Sequence, residues 1–250
     1  MNTPLYMWLA GGAAFLVGLS KGGLPAIGML AVPLMSLVMP PVDAAVMLLP
    51  IYVISDVMGV YLYRRDYSAP NLRILIPASL LGVFIGWLTA SVVSDRAITF
   101  LIGAMGVAFC LNVWLRKQGN AVAQAPSIPK GGFWGMLAGF TSFISHAGAP
   151  PFQVYMLSQR LPKAEFAGTA TILFAVINAS KIVPYQFLRP YSLESLRSAA
   201  VLVPFALVGA ISGAYLTRCV ADVWFYRIVQ VSLFGVSLKL IADSLKGLWA

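Results

Sequence analysis

Charged residues are scarce in this chain of 250 residues, of which Asp, Glu, Lys and Arg make up only 10%. An ordinary soluble domain carries about 25% of them, so the composition excludes a soluble globular protein. Disorder is excluded too, because disordered chains have low hydrophobicity, whereas 60% of these residues are hydrophobic. The composition therefore predicts an all-α polytopic membrane protein.

Histidine and cysteine are also few. With 1 histidine there is no H-E-x-x-H metal motif, and no nucleotide-binding motif is present, so neither a catalytic group nor a metal or cofactor is expected. The 2 cysteines, Cys110 and Cys219, lie in or beside apolar segments, which argues against a secreted disulfide framework. The net charge of +9 comes from scattered basic residues that are typical of cytoplasmic loops, not of a nucleic-acid groove.

Six apolar runs are long enough to cross a bilayer, which takes about 20 helical residues. They cover residues 43–63, 74–94, 97–115, 166–188, 198–217 and 223–242. Two further apolar segments, 5–39 and 131–158, each open one half of the chain. The first has 35 residues and would form a helix of about 52 Å, which is too long for one span.

Both opening segments are interrupted near the middle by glycine and proline. The two breaks read Ser20-Lys21-Gly22-Gly23-Leu24-Pro25 and Ser145-His146-Ala147-Gly148-Ala149-Pro150, and a shift of 125 residues superimposes them. The match extends to Tyr67-Ser68 with Tyr191-Ser192, and to the pair Gly82 and Gly86 with the pair Gly209 and Gly213. We therefore predict two homologous repeats, 1–116 and 131–250, joined by a cytoplasmic linker, 117–130.

The relation between the repeats depends on how the opening segments cross the membrane. A hairpin makes no net crossing, so each repeat would cross three times and the second would be inverted. A single strongly tilted helix would give four crossings and parallel repeats. Length and the central break favour the hairpin, and both arrangements place the basic stretches 64–73 and 116–130 in the cytoplasm. The glycine pairs are expected to serve close helix packing.

Matched interruptions in two halves are the best indication that a sequence gives of a transporter binding site. Half-helices that start after Gly23 and after Pro150 would direct unpaired N–H groups and positive dipole ends toward an anion. We expect the site between the two breaks, near the membrane midplane. The predicted substrate-binding residues are Ser20, Lys21, Gly22, Gly23, Ser145, His146, Gly148, Gln153 and Asn178.

Two ionisable residues within spans, Asp56 and Lys181, are predicted to couple transport to an ion or proton gradient. Charges at such depth are costly and usually face a partner or the interior of a bundle. A structural ion pair of Asp56 with a lysine is the alternative, and the sequence leaves both open.

The residues of the two breaks and the Tyr-Ser elements carry a resemblance. From about residue 8 to 245 the chain resembles the sulfite exporter TauE/SafE family, also called the toluene-sulfonate uptake permease superfamily. The break at Gly18-Leu19-Ser20-Lys21-Gly22-Gly23 fits the family, whereas the second break ends Ala149-Pro150 where more glycine is expected.

The resemblance implies a secondary transporter of the bacterial inner membrane. Its substrates would be small anions, chiefly sulfite or organosulfonates such as sulfoacetate. Its other partner would be membrane lipid. The assembly state is left open, and a homodimer is one of the alternatives. The alternatives are an anion channel, a carboxylate transporter and, less favoured, an intramembrane enzyme.

Overall fold

Every regular element in the part of the chain that the structure describes is a helix. The structure is a computed structural model, and it describes residues 4–39, 41–90, 95–115, 123–188, 190 and 193–246. The eleven helices within these ranges are α1 (Pro4–Lys21), α2 (Pro25–Gly28), α3 (Ala31–Met35), α4 (Pro41–Tyr63), α5 (Ala69–Thr89), α6 (Asp95–Leu115), α7 (Ile128–Ser145), α8 (Ala149–Leu157), α9 (Lys163–Leu188), α10 (Leu193–Cys219) and α11 (Asp222–Lys246).

Five of the helices in the described residues are long and apolar enough to cross a membrane, namely α4, α5, α9, α10 and α11. They confirm five of the six predicted spans and make the chain a multi-pass membrane protein. The span predicted at 74–94 is displaced, because α5 already begins at Ala69, where Pro70 fits the first helical turn. The sixth predicted span, 97–115, falls within α6, and residues 91–94 lie outside the described ranges.

The predicted linker, 117–130, overlaps the helix that follows it, so its C-terminal end comes earlier in the chain than expected. Helix α7 begins at Ile128, because Pro129 suits the first turn, whose N–H groups have no partner within the helix. Residues 117–122 of the linker, and Tyr191-Ser192 of the repeat match, lie outside the described residues.

The chain forms two compact units that each combine helices from both predicted repeats. Unit 1 contains Met1–Ala69 and Lys163–Ala221, and unit 2 contains Pro70–Pro162 and Asp222–Ala250. The chain therefore passes from one unit to the other three times. The boundaries of the units differ from those of the repeats, which are defined by sequence likeness and not by packing.

In unit 1, α1 packs against α10 at backbone contact. A Cβ atom at Gly18 would lie 1.9 Å from the carbonyl oxygen of Ala206, and one at Gly209 would lie 2.3 Å from that of Phe15. Only glycine permits this approach, and close packing is what associates helices in lipid. Gly209, of the second glycine pair, thus has the packing role that the sequence predicts.

The opening segment of unit 1 doubles back on itself after the first break. A Cβ at Gly28 would touch the Ser20 side chain at 2.7 Å, and one at Gly12 would lie 3.6 Å from Leu34. The return arm is not one helix of about 15 residues, as its length suggests, but the two short helices α2 and α3. The buried residues of α3 join those of α1, α4 and α10 in one apolar cluster.

Unit 2 shows the same kind of contact between α5 and α7. A Cβ at Gly82 or at Gly139 would lie 1.9 Å from a carbonyl oxygen of the facing helix. Helix α8 returns along α7, since the Ser127 N–H donates to the Tyr155 hydroxyl at 3.2 Å and the Gln124 N–H to the Ser158 carbonyl at 3.1 Å. The second opening segment is therefore also a helical hairpin.

Candidate functional site

The first break is held open by side chains that bind its freed carbonyl groups. Gly23 adopts a φ of 116°, which ends α1 and redirects the chain. The Gly22 carbonyl accepts hydrogen bonds from the hydroxyls of Tyr63, at 2.6 Å, and Thr217, at 2.8 Å. The Lys21 carbonyl accepts one from Thr171 at 3.0 Å. These bonds replace the intrahelical ones that are lost at a helix end, as irregular backbone inside a membrane requires.

The missing side chains of both glycines in the first break make room for α10. A Cβ at Gly22 would lie 2.4 Å from the Cα of Gly213, and one at Gly23 would lie 2.5 Å from the Thr217 hydroxyl. Protein atoms therefore occupy the space beside both residues, and their bare backbone has a packing role within unit 1.

The first break lies near one end of its neighbouring helices. Tyr63 is the last residue of α4, and Thr217 lies in the last turn of α10. This position differs from the expected one near mid-depth, because α1 is long enough to run almost the full length of α4 before it ends. The Lys21 side chain extends inward to Asp56, which is about 10 Å from the end of α4.

A buried charge cluster surrounds the Lys21 ammonium group. Its Nζ lies 2.7 Å from Oδ1 of Asp56, and the Asn178 amide donates to Oδ2 of the same carboxylate at 2.8 Å. The ring centroids of Tyr52 and Phe174 lie 5.1 Å and 5.9 Å from Nζ, a distance at which aromatic faces attract a cation. The three polar residues are almost fully buried.

Lys181 is the second base of this cluster. Its side chain is completely buried, and it interacts electrostatically with Lys21 and with Asp56. Two lysines thus share one carboxylate within the cluster. When all three groups are ionised, the cluster carries one excess positive charge in a medium where charge is expensive.

Two helical faces bring these residues together. Tyr52, Asp56 and Gly59 follow one another on a face of α4 at spacings of four and three residues. The face of α9 that approaches them carries Thr171, Phe174, Asn178 and Lys181. Gly59 permits the contact, because a Cβ there would lie 2.6 Å from the Thr171 methyl group and 3.1 Å from the Lys21 Cβ.

Sequence reasoning missed Tyr52, Phe174, Thr171, Tyr63 and Thr217. The first three could have been found, because they recur at helical spacing with Asp56 or with Asn178. Tyr63 and Thr217 gave no such signal, since their role is to bind a carbonyl group of another helix.

The two serines of the breaks use their hydroxyl hydrogens locally. Ser20 donates to the Val17 carbonyl at 2.6 Å, and Ser145 donates to the Thr141 carbonyl at 3.3 Å. Each bond lies within one helix, so a ligand at either serine would meet an oxygen acceptor before it met a donor.

The second break, in unit 2, is a compact turn. Helix α7 ends at Ser145, and His146 takes the left-handed conformation with a φ of 53°. The His146 N–H donates to the Ser142 carbonyl at 3.2 Å, while the Thr141 hydroxyl donates to the Ala147 carbonyl at 3.0 Å. His146 is buried and ends the helix as an αL cap does.

The expected anion sites at the half-helix N-termini are not what the structure shows. Helix α2 has only four residues, and the Ile27 N–H already donates to the Leu24 carbonyl. Helix α8 begins at Ala149, not after Pro150, and its next two residues, Pro150 and Pro151, have no N–H to offer. Positive charge on side chains, not helix-end N–H groups, distinguishes the first break.

Gln153 is an unusual polar residue of unit 2. It lies on α8, its side chain is 0% exposed, and neither its amide nitrogen nor its amide oxygen bonds to any of the described residues. Leaving such a group unsatisfied costs about 1–3 kcal/mol. The amide offers both donors and an acceptor.

The structure thus brings together seven of the residues predicted from sequence and places the others in the second unit. Those in unit 1 are Ser20, Lys21, Gly22, Gly23, Asp56, Asn178 and Lys181. Those in unit 2 are Ser145, His146, Gly148 and Gln153. Only Lys21, Asp56, Asn178 and Lys181 interact through their charged or amide groups.

Comparison with known proteins gives one match. A family model described as sulfite exporter TauE/SafE matches residues 10–240 of the chain. The comparisons with curated proteins and with solved structures give no significant match.

Proposed function

Because the chain belongs to the sulfite exporter TauE/SafE family, a family of membrane transporters, we propose that it moves small sulfur-containing anions across the bacterial inner membrane. Sulfite and organosulfonates such as sulfoacetate are the proposed substrates. The protein acts as a secondary transporter, and the gradient of an ion or of the substrate itself supplies the energy.

The observation that supports an anionic substrate is the charge balance of the buried cluster. Lys21 and Lys181 provide two ammonium groups, and Asp56 provides one carboxylate. Burial of an uncompensated charge costs several kcal/mol, so a bound monoanion, which returns the cluster to neutrality, is stabilised there. The same excess charge disfavours cations, and a neutral molecule would leave it uncompensated.

Asp56 serves as the internal counter-ion of Lys21 in the absence of substrate. The incoming anion competes with the Asp56 carboxylate for the Lys21 ammonium group, and the Asn178 amide can then turn from carboxylate to anion. Protonation of Asp56 would release Lys21 in the same way. This exchange gives Asp56 and Lys181 their proposed role in coupling.

Alternating access between two inverted repeats is the proposed transport mechanism. Both opening segments are hairpins, and a hairpin adds no net crossing to its repeat. Three long helices come after each of them, α4 to α6 and α9 to α11. Three crossings reverse the direction of the second repeat, which is the arrangement that supports rocking of one part against another.

The second break supplies further proposed contacts of the transport pathway. Gln153 has an amide without a protein partner among the described residues, and His146 and Gly148 form the turn before its helix. A sulfur oxyanion presents several acceptor oxygens, and the Gln153 amide nitrogen matches them. In a protonated monoanion the hydroxyl would match the amide oxygen as well.

A charge series tests the proposed site. Lys21→Met and Lys181→Met each remove one base and leave the cluster neutral, so sulfite binding should weaken about 100-fold. Asp56→Asn raises the excess charge and should bind sulfite at least as tightly as the wild type. The double variant Lys21→Met with Asp56→Asn restores one excess charge and is the matched control, because it should regain part of the lost affinity.

Ligand-dependent thermal stability of the purified protein measures this series, since a ligand that binds only the folded state raises its stability. The panel contains sulfite, thiosulfate, taurine, sulfoacetate and carboxylates. Equal sulfite response in the wild type and in a folded Lys21→Met protein would contradict the site. Thermal stabilisation by carboxylates alone would make carboxylates, and not sulfur-containing anions, the substrate class. Saturable flux that a counter-substrate accelerates separates a transporter from a channel.

A further inference from the structure

A basic cleft of about 310 Å³ opens in unit 1 beside the end of α4. Its lining residues are Tyr61, Leu62, Arg64, Arg65, Asp66 and Arg218. Three arginines and one aspartate therefore line the cleft, and all three arginines are exposed. The volume is in the range of small-molecule sites.

Two of the arginines are held in defined positions. The Arg64 guanidinium lies 4.6 Å from the ring centroid of Tyr61, and Arg218 donates to the Leu62 carbonyl at 3.3 Å. Each guanidinium has five N–H groups, so these contacts leave most of the donors available. Arginine in such a fixed fork is well suited to an oxyanion, to which it can donate two parallel hydrogen bonds.

The cleft is continuous in sequence with the first break. Arg64 comes directly after Tyr63 and Arg218 directly after Thr217, and the hydroxyls of Tyr63 and Thr217 both bind the Gly22 carbonyl. One layer of hydrogen-bonded residues therefore lies between the cleft and the residue next to Lys21. Arg64 and Arg218 therefore lie one residue beyond the two hydroxyls that bind the first break.

We propose that this cleft is a second anion site, an entrance vestibule that binds the sulfur oxyanion before it reaches Lys21. The proposal rests on the proposed function. The chemistry that the arginines recognise, a group with several anionic oxygens, also belongs to a phospholipid phosphate. The cleft is assigned to the free anion, because it adjoins the break and its volume is in the range of small-molecule sites.

The test is the half-saturating sulfite concentration of initial flux in proteoliposomes of neutral lipid, with the protein in one orientation. Arg64→Gln with Arg218→Gln should raise this concentration about tenfold when sulfite is supplied on the cleft side, because charged clefts concentrate counter-ions. The maximal rate, and the value for sulfite supplied on the other side, should not change. Added salt should raise the wild-type value toward that of the variant by screening.

Two control variants separate the cleft from charge in general. Arg64→Lys with Arg218→Lys keeps the charge, so its half-saturating sulfite concentration should stay close to that of the wild type. Arg73→Gln with Arg227→Gln removes two exposed charges outside the cleft and should behave as the wild type. Arg227 is a matched choice, because it lies 5.0 Å from the ring centroid of Trp224, much as Arg64 lies over Tyr61. An effect of equal size in this control would overturn the proposal.

An unchanged half-saturating concentration in Arg64→Gln with Arg218→Gln would also overturn the vestibule. So would an effect that appears only when anionic phosphatidylglycerol is added to the neutral vesicles, since that result assigns the cleft to a lipid phosphate. Lys21→Met distinguishes the two proposals, because it should reduce flux from both sides. If Lys21→Met transports sulfite normally while the one-sided cleft effect persists, the role proposed for the cluster is wrong and the vestibule stands.

Discussion

Two buried glutamines of unit 2 show how differently the same side chain can be used. The amide of Gln159 forms a reciprocal pair with Asn71, with bonds of 2.8 Å and 3.1 Å. The amide of Gln153 bonds to none of the described residues, although it is equally removed from solvent. Gln159 is therefore a structural residue, whereas the cost of Gln153 is consistent with a ligand contact.

Replacement of each glutamine by leucine should have opposite effects on the protein without substrate. Gln153→Leu removes two unsatisfied polar atoms and should stabilise the protein by about 1 kcal/mol, while it removes the part of the sulfite stabilisation that depends on unit 2. Gln159→Leu should destabilise it by about 1–3 kcal/mol, because Asn71 then lacks its partner. Thermal unfolding with and without sulfite measures both. A Gln153→Leu protein that is less stable but responds fully to sulfite would make Gln153 a structural residue.

The position of Asp56 between Lys21 and Asn178 leads to a prediction about energy coupling. If protonation of Asp56 releases Lys21, Asp56→Asn should retain anion binding but lose the response of flux to an imposed pH gradient. Flux in proteoliposomes with and without the gradient measures this loss. Asp243→Asn, which removes an exposed carboxylate outside the cleft, is the control and should respond as the wild type does. An equal response in Asp56→Asn would reduce Asp56 to a structural counter-ion.

The residues of the charge cluster were found from sequence, but their pairing was not. Asp56 and Lys181 stand out because ionisable groups within apolar spans need a partner, and Lys21 because it interrupts a long apolar run. Whether Asp56 pairs with Lys21 or Lys181 depends on the rotation of α4 against α1 and α9. That rotation is determined by glycine contacts such as that of Gly59 with Thr171, which involve residues distant in sequence.

At the level of the helices, glycine has two different uses in α7. A Cβ at Gly139 would lie 1.9 Å from the Ser79 carbonyl oxygen of α5, whereas one at Gly132 would have no atom within 4 Å among the described residues. The first glycine determines how closely two helices approach. The second lowers helix stability and gives no contact in return.

Alanine at these two positions should therefore separate packing from helix propensity. Gly139→Ala should destabilise the protein by several kcal/mol or prevent its folding, because α5 and α7 would have to move apart. Gly132→Ala should be neutral or stabilising by up to about 1 kcal/mol. Thermal unfolding of both variants in one detergent provides the comparison. Similar effects of the two substitutions would show that α5 and α7 can separate at little cost.

The breaks were predictable as interruptions, while the shape of the return arms was not. Paired Gly and Pro residues marked the ends of α1 and α7 to within a residue. The division of the first return arm into α2 and α3 depends on its packing against α1, where Gly28 meets Ser20. The poor donor set of α8 could have been inferred directly from Pro150 and Pro151.

For the whole molecule, orientation in the membrane is the first property to establish. Helix α10 ends beside Arg218 at the exposed thiol of Cys219, and it begins at Leu193, which is also exposed. The density of arginine and lysine near residues 64–73 and 218 predicts that this end of α10 faces the cytoplasm. The other end would then face the opposite side.

An impermeant maleimide tests this orientation on intact cells. In a Cys110→Ser background, native Cys219 should be labelled only after permeabilisation. With Leu193→Cys added to Cys110→Ser and Cys219→Ser, labelling should occur from outside. Asp66→Cys in the same background should stay unlabelled in sealed cells. Asp66 is a better position for this cysteine than Ser68, because Ser68 is buried and its N–H donates to Thr169. Labelling of Cys219 in sealed cells would reverse the orientation.

The interleaving of the chain between the two units has a consequence for biosynthesis. Unit 1 contains Met1–Ala69 but also needs Lys163–Ala221, so its two parts leave the ribosome about 5–20 s apart. During that interval Lys21 lacks α9 and α10, yet the carboxylate of Asp56 is already made. We expect this ion pair, 2.7 Å long in the folded protein, to neutralise Lys21 in the bilayer until Asn178 and Lys181 are inserted. Asp56 would then protect Lys21 during insertion, before the substrate site that we propose is complete.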